Sequence, residues 1–156
     1  MGGSVSIGRV RDIELLSGLS DEEYEMVAKV CREEIYEEGS IIFNEGEISK
    51  KLCAVESGRV ILEYEVTQGR RVMVGDEVKR GLFGWSALIA PYRYTATARA
   101  TQRTTIIVID GQQMQELCNV HPHMCAIVTQ HLVRILARRL ETLRKYVAEV
   151  LHYSQG

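Results

Sequence analysis

Short apolar runs separated by glycines fill the middle of the chain, and this pattern is what most restricts the fold. Glycines recur 7 to 12 residues apart through this region, at Gly39, Gly46, Gly58, Gly69 and Gly81. Short strands at such a spacing are typical of β-sandwiches and barrels. We therefore predict a mainly β fold, a β-roll or jelly-roll barrel with flanking helices. The predicted strands are residues 41–43, 52–55, 60–66, 71–74, 94–101 and 105–109.

Helical signals lie on both sides of this strand region. Ser20 and Glu23 form a capping-box pattern, which predicts a short helix from residue 21 to about residue 30. Ile13, Leu15 and Leu16 just before it form an apolar lead-in that is expected to pack on the element that follows. A much longer helix is predicted over 119–153, with Pro122 in its first turn and no glycine or proline afterwards.

The long helix carries an apolar stripe with the spacing of a two-helix seam. Its members are three or four residues apart, the a/d period of a coiled coil. A second apolar stripe, at residues 127, 128, 132 and 135, occupies only the first half of the helix. We expect this first half to pack on the roll and the a/d stripe to meet a second copy in a homodimer. The seam residues are Val133, Leu136, Leu140, Leu143, Val147 and Val150.

Composition excludes several classes of protein. The net charge of −2 gives no support for a general nucleic-acid surface. No apolar run approaches the roughly 20 residues that cross a bilayer, and no secretory signal is visible, so we expect a cytoplasmic protein without a membrane partner. The four scattered cysteines are expected to be reduced and buried. Residues 1–8, rich in glycine and serine, are expected to be flexible.

No catalytic or metal site is predicted. The four histidines lie outside the strand region, and no nucleophile elbow is present. The basic residues of the long helix alternate with glutamates, as on the solvated flank of a coiled coil. These basic residues are Arg134, Arg138, Arg139, Arg144 and Lys145.

Three segments, in order, resemble the cyclic-nucleotide-binding domain, the sensor half of catabolite-activator and FNR-type regulators. Residues 38–46 are similar to the family's G-x-x-I-x-x-E-G hairpin, and residues 55–60 to its V-x-x-G-x-V turn. Residues 83–100 resemble the phosphate-binding cassette, F-G-E-x-A-L followed by P-R-A/S-A-T. The resemblance divides the chain into a sensor domain at 9–118 and a dimerisation helix at 119–153.

The cassette departs from the family at its two charged positions. The family's acid, which takes the ribose 2′-hydroxyl, falls on Trp85, and the arginine that pairs with the cyclic phosphate falls on Tyr94. An indole cannot accept hydrogen bonds as a carboxylate does, and a phenol cannot fork onto phosphate as a guanidinium does. Binding of cyclic AMP should therefore be weakened. The predicted ligand-binding residues are Phe83, Gly84, Trp85, Ser86, Ala87, Leu88, Arg93, Tyr94 and Thr95.

Two polar residues of the cassette remain candidates for holding an anion. Arg93 stands one position before Tyr94, where strand alternation directs it to the opposite face. Ser86 lies at the start of a predicted short helix, whose free N–H groups would suit an anion, or it is a simple helix cap. The rings of Trp85 and Tyr94 either favour a flat ligand with a polar end or fill the pocket themselves.

The resemblance implies a non-catalytic ligand-sensing module. No cofactor is certain; the effector is a cyclic nucleotide or another small anionic or planar molecule. The alternative is a ligand-free dimeric interaction or scaffold protein. The sequence after the long helix contains no recognition helix, so no direct DNA binding is expected. The chain is then either a stand-alone sensor or a fragment without an output domain.

Overall fold

Eight strands and four α-helices make up the computed structural model, which describes residues 5–77 and 79–155. The helices are α1 (Ile7–Arg11), α2 (Asp21–Lys29), α3 (Gly111–Val120) and α4 (Pro122–Ser154). The strands are β1 (Cys31–Tyr36), β2 (Ile41–Phe43), β3 (Lys51–Ser57), β4 (Val60–Thr67), β5 (Arg70–Glu77), β6 (Leu82–Phe83), β7 (Thr97–Ala100) and β8 (Thr104–Asp110). Short 3₁₀ helices lie at Glu14–Leu16 and Trp85–Leu88.

The strands form two four-stranded antiparallel sheets, which confirms the predicted jelly-roll. One sheet has the order β1-β8-β3-β6 and the other β2-β7-β4-β5. Alternate residues of β3 and β8 point to opposite sides of the first sheet. One side packs against the second sheet around residues such as Phe83, Val60 and Ala98, a cluster that we call the inner core. The other side packs against the helices in a larger cluster, the outer core.

The helical lead-in is anchored as its sequence predicted. The Ser20 side chain accepts a hydrogen bond from the backbone N–H of Glu23, and the Glu23 carboxylate accepts one from Ser20 in return. Glu23 also lies 3.0 Å from Nδ1 of His123 on α4. Leu15 and Leu16 are fully buried in the outer core. These contacts tie the lead-in to the start of the long helix.

Helix α4 has two different halves. Its first half buries Met124, Val128, Leu132 and Ile135 in the outer core, as the second apolar stripe predicted. From Leu140 to residue 155 every described residue is exposed. The 33 residues of α4 extend about 50 Å at 1.5 Å per residue.

Four expectations need correction. Residues 1–4 lie outside the described residues, but Val5 is buried and α1 begins at Ile7, so a flexible segment through residue 8 is wrong. Residues 119 and 120 belong to α3, because a break at His121 precedes Pro122. Leu136 packs partly on its own outer core. Two cysteines, Cys118 and Cys125, are only half-buried, although all four are free.

A polar cluster connects β1 and β3 beside the inner core. The Lys51 ammonium donates to Oε1 of Glu34 at 2.8 Å and to the hydroxyl of Tyr36 at 3.0 Å. The Tyr36 hydroxyl and Nε of Arg32 also donate to the Glu34 carboxylate. Burial by itself would raise the pKa of Glu34, but these three donors outweigh burial and lower that pKa to about 2.

We predict that Glu34 makes the fold sensitive to acid in a defined window. A carboxyl whose pKa is lower in the folded state stabilises that state fully above its unfolded pKa of 4.5, and this contribution is lost as the pH falls toward 2. Glu34→Gln should therefore lower stability at neutral pH and flatten the decline below pH 4.5. Urea midpoints measured across this range test it. Glu37→Gln is the control, because Glu37 forms only an exposed pair with Arg103. If the urea midpoint fell with pH equally steeply in wild type and in Glu34→Gln, the prediction would be contradicted.

Candidate functional site

The segment predicted as the cassette begins with a turn that only glycine fits. Gly84 follows β6 with a φ of +75°, in the left-handed region that side-chain-bearing residues rarely adopt. A Cβ atom at this position would lie 2.5 Å from the carbonyl oxygen of Lys51. The turn is therefore pressed directly against the start of β3.

The 3₁₀ helix Trp85–Leu88 lies between the roll and α3. Ala87 is fully buried, and its carbonyl oxygen accepts a hydrogen bond of 2.7 Å from the Gln115 side chain. Gly111 approaches Ala87 so closely that an added Cβ atom would be 2.8 Å from the alanine Cβ. Ser86 is buried, and Leu88 packs on the outer core. The 3₁₀ helix is therefore fixed by its contacts with α3 and by its packing on the outer core.

Trp85 connects this short helix to α4. Its ring packs against the outer core, and the Arg139 guanidinium carbon lies 4.6 Å from the ring centroid, in cation–π geometry. Nη2 of Arg139 also forms a salt bridge of 2.9 Å with Oε1 of Glu77 and donates a hydrogen bond to the carbonyl oxygen of Leu82. Burial lowers the pKa of Arg139, and the nearby Glu77 opposes this effect. The segment in the cassette position therefore contacts the long helix directly.

Tyr94 points into the roll. Its side chain is 5% exposed and stacks on Phe43 with a centroid separation of 3.6 Å and an interplanar angle of 5°. Its hydroxyl accepts from the backbone N–H groups of Lys50 and Lys51 at 3.2 and 2.9 Å. Burial raises the pKa of Tyr94, so the phenol stays neutral at physiological pH.

Arg93 and Thr95, on either side of Tyr94, are exposed. Nη1 of Arg93 donates to the carbonyl oxygen of Gly46 at 2.9 Å, which holds the arginine along the neighbouring loop. The strand predicted over 94–101 is shorter than expected, because β7 begins only at Thr97 and residues 95 and 96 form a bend. The side chains nevertheless take the expected directions, with Tyr94, Ala98 and Ala100 buried and Arg93 exposed.

The structure separates the two rings that the sequence placed near one pocket. Tyr94 belongs to the inner core and Trp85 packs on the outer core, on the other side of the first sheet. Phe83, Gly84 and Tyr94 therefore form one group around the inner core. Trp85, Ala87 and Leu88 form another group beneath the helices. One flat ligand cannot contact both rings in this arrangement.

Sequence reasoning missed Phe43 and Arg139 as members of the site. Phe43 alternates with the exposed Asn44 at the end of β2, a weak signal for an inward ring. The charge pattern predicts a solvated Arg139, and this is wrong, because the side chain packs on Trp85 and pairs with Glu77. Its position four residues after Ile135 places it on the face of α4 that packs on the roll, and this spacing could have identified it.

A cavity of about 230 Å³ lies beneath α4, on the helix side of the first sheet. Its walls come from the 3₁₀ helix Glu14–Leu16, from β3, from the connection between β5 and β6, and from α4. Arg139 is part of the wall, whereas none of the nine predicted ligand-binding residues is. In the part of the chain that the structure describes, no cluster of three histidines, cysteines or carboxylates could hold a metal ion. No described helix is long and apolar enough to span a membrane.

Known proteins share both the sequence pattern and the fold. The model of the cyclic nucleotide-binding domain family matches residues 33–121, more than half of the chain. The cyclic AMP receptor protein of Thermus thermophilus is 27% identical over 126 residues, which are 81% of this chain and 56% of that protein. A Rhodopseudomonas palustris protein provisionally named a potassium channel protein is 24% identical over 81% of this chain and 30% of its own length. The chain thus spans about half of these curated relatives or less.

Among solved structures, one from Geobacter metallireducens GS-15, provisionally named a cyclic nucleotide-binding protein, is similar over nearly its whole length. It superposes with a TM-score of 0.79 and 28% identity, covering 87% of this chain and 98% of that one.

Proposed function

Because the chain belongs to the cyclic nucleotide-binding domain family, we propose that it is a non-catalytic ligand-sensing module that works as a homodimer. The observation that carries the proposal is the contact between Trp85 and Arg139. It joins the segment in the cassette position to the helix that carries the exposed seam. A ligand that changed the packing of this segment would then change the position of α4.

We further propose that cyclic AMP and cyclic GMP are not its ordinary effectors. In the family pattern, the position of Tyr94 carries the arginine that pairs with the cyclic phosphate. Tyr94 is neutral and buried, and its hydroxyl already accepts two backbone hydrogen bonds. One lost charge-assisted hydrogen bond weakens binding by about 1.5–3 kcal/mol, which is roughly ten- to more than a hundredfold. A small anionic or planar molecule of another kind is the proposed effector.

Calorimetry with cyclic AMP and cyclic GMP tests this prediction. We expect millimolar or absent binding for both, because a buried tyrosine stands where the family's arginine receives the phosphate, and Arg93 beside it is exposed and bonded to the Gly46 carbonyl. The cyclic AMP receptor protein of Thermus thermophilus, titrated under the same conditions, serves as the positive control. Micromolar binding of either nucleotide to this chain would overturn the prediction.

The alternative function, a ligand-free dimeric interaction protein, is favoured by one specific observation. Tyr94 stacks on Phe43 inside the roll, in the position from which the family pattern would contact a phosphate. Native mass spectrometry of the protein purified from its own host distinguishes the two functions. A retained small molecule of constant mass supports the sensor, whereas a clean dimer of bare chains supports the interaction protein.

A further inference from the structure

We propose that Cys118 and Cys125 form a reversible disulfide when the chain meets a peroxide, and that this bond ties α3 to α4. Cys118 lies in the last turn of α3, and Cys125 lies in the first turn of α4. Neither residue belongs to the predicted ligand-binding segment or to the seam. The inference therefore does not depend on whether an effector binds or on whether the chain pairs through α4.

The break at His121 brings the two thiols together. In a continuous helix, residues seven positions apart lie roughly 10 Å apart along the axis, which is beyond the reach of a disulfide. His121 interrupts the helix with a φ of −116° and a ψ of 90°, and the two helices that it joins contact each other. The Cys118 thiol shares a side-chain hydrogen bond with the Cys125 thiol across this break.

Backbone hydrogen bonds hold both sides of this junction. The N–H of His121 donates to the carbonyl oxygen of Leu117 at 2.9 Å, and the N–H of Cys125 donates to the carbonyl oxygen of His121 at 3.0 Å. Cys118 also packs against the outer core. The two sulfur atoms are therefore held near each other in the reduced chain, so little conformational entropy is lost when they are joined.

The other two cysteines differ in both burial and position. Cys31 packs in the outer core and Cys53 in the inner core, so the first sheet separates them. Burial raises the pKa of the Cys31 thiol to about 12, and it raises the pKa of Cys53 as well. Peroxides react with the thiolate rather than the thiol. Cys118 and Cys125 are only half-buried, so a small oxidant reaches this pair and not the buried two.

The reaction with hydrogen peroxide begins at Cys125, because burial and the neighbouring thiol raise the pKa of Cys118 to about 11 and keep it protonated at neutral pH. The Cys125 thiolate attacks one peroxide oxygen, the O–O bond breaks, and a sulfenic acid and hydroxide form. The Cys118 sulfur then attacks the Cys125 sulfur. The S–S bond forms as the S–O bond breaks, and the hydroxyl group leaves with the Cys118 proton as water. The two thiols lose two electrons, and the peroxide gains them.

The disulfide would restrain a junction that lies between the cassette segment and the outer half of α4. Gln115 of α3 donates to the carbonyl oxygen of Ala87 in the 3₁₀ helix, and α4 continues from the break to Ser154. With α3 and α4 joined by a covalent bond, α4 can no longer pivot at His121 independently of that contact. Oxidation would thus restrict the movement of α4 relative to the segment that contains Ala87.

Peptide mass spectrometry of the full chain tests the pairing. The folded chain is treated with equimolar hydrogen peroxide, alkylated under denaturing conditions and cut with trypsin. The tryptic peptide 104–134 contains both Cys118 and Cys125, so a disulfide within it removes two hydrogen atoms and blocks two alkylations. We expect this form to dominate, with Cys31 and Cys53 alkylated. Treatment with dithiothreitol before alkylation should restore all four thiols.

Three variants and one further measurement complete the test. Cys118→Ser should prevent the disulfide and leave a sulfenic acid on Cys125 that dimedone labels, whereas Cys125→Ser should prevent both. Cys31→Ala is the control and should form the disulfide as the wild type does. Hydrogen exchange of the amides at 118–125 should be slower in the oxidised chain. A disulfide between two chains, equal oxidation of all four cysteines, no loss of thiols, equal dimedone labelling of Cys125→Ser, or unchanged exchange would each overturn the proposal.

Discussion

Replacing Tyr94 with alanine is expected to lower the free energy of unfolding by about 3–5 kcal/mol, the usual loss for a large aromatic residue removed from a core. The ring is 5% exposed and stacks on Phe43, which itself packs near Phe83. Removing the ring leaves a cavity between the two sheets, and it removes the acceptor for the backbone N–H groups of Lys50 and Lys51. Urea unfolding measures the change.

Two variants show which part of Tyr94 is responsible. Tyr94→Phe keeps the ring and removes only the hydroxyl, so it should lose about 1–2 kcal/mol. Tyr92→Ala is the matched control, because that tyrosine lies two residues away and is 38% exposed; it should change stability by less than about 0.5 kcal/mol. If Tyr94→Ala were as stable as Tyr92→Ala, the ring would not be part of the inner core.

Replacing Leu140 and Leu143 together with lysine should convert the dimer to monomers. Both side chains are more than half exposed in the single chain, and they continue the a/d spacing of α4. Two lysines per helix would place four positive charges in an apolar seam, which is strongly unfavourable. Sedimentation velocity at micromolar concentration gives the mass directly.

A control on the opposite face of α4 makes this test specific. Glu141→Lys with Ala148→Lys also adds two lysines to the outer half of the helix, but both positions lie away from the seam. This variant should remain a dimer with the sedimentation coefficient of the wild type. A dimer of unchanged strength in the Leu140 and Leu143 variant would show that the seam lies elsewhere, or that the chain does not pair through α4.

Much of the fold could be predicted because the local signals agree with the tertiary packing. The capping box at Ser20 and the strand at β2 are where the sequence predicted them, and Pro122 lies in the first turn of α4 as expected, although the helix begins three residues later than predicted. Strand β1 had no such signal. Its sequence, Cys-Arg-Glu-Glu-Ile-Tyr, carries three charged residues, and the strand is defined by its pairing with the distant β8. Lys51 binds Glu34 and Tyr36 from 17 and 15 positions away. Strand β6 has only two residues and is defined by its partner β3.

The candidate site was only partly predictable for a related reason. The two-residue period of a strand predicted the directions of Tyr94, Arg93 and Thr95 correctly, although these residues precede β7, which begins at Thr97. Trp85 is different, since it follows Gly84 in a 3₁₀ helix, and the left-handed turn at Gly84 determines which core receives the indole. The contact between Arg139 and the Trp85 ring depends on the same turn, because the turn sets the position of the indole. Neither residue type nor spacing indicates that a left-handed turn will direct an indole toward a distant helix.

The exposed outer half of α4 has a consequence for how such a chain would respond in a cell. A lone helical segment is marginally ordered in water, whereas a binding partner stabilises the state that it binds in proportion to its concentration. With a second copy paired along the seam, the order of residues 140–154 would rise with the abundance of the chain. The strength of the response to a given signal would then depend on the concentration of the chain, and it would be weaker when the chain is scarce.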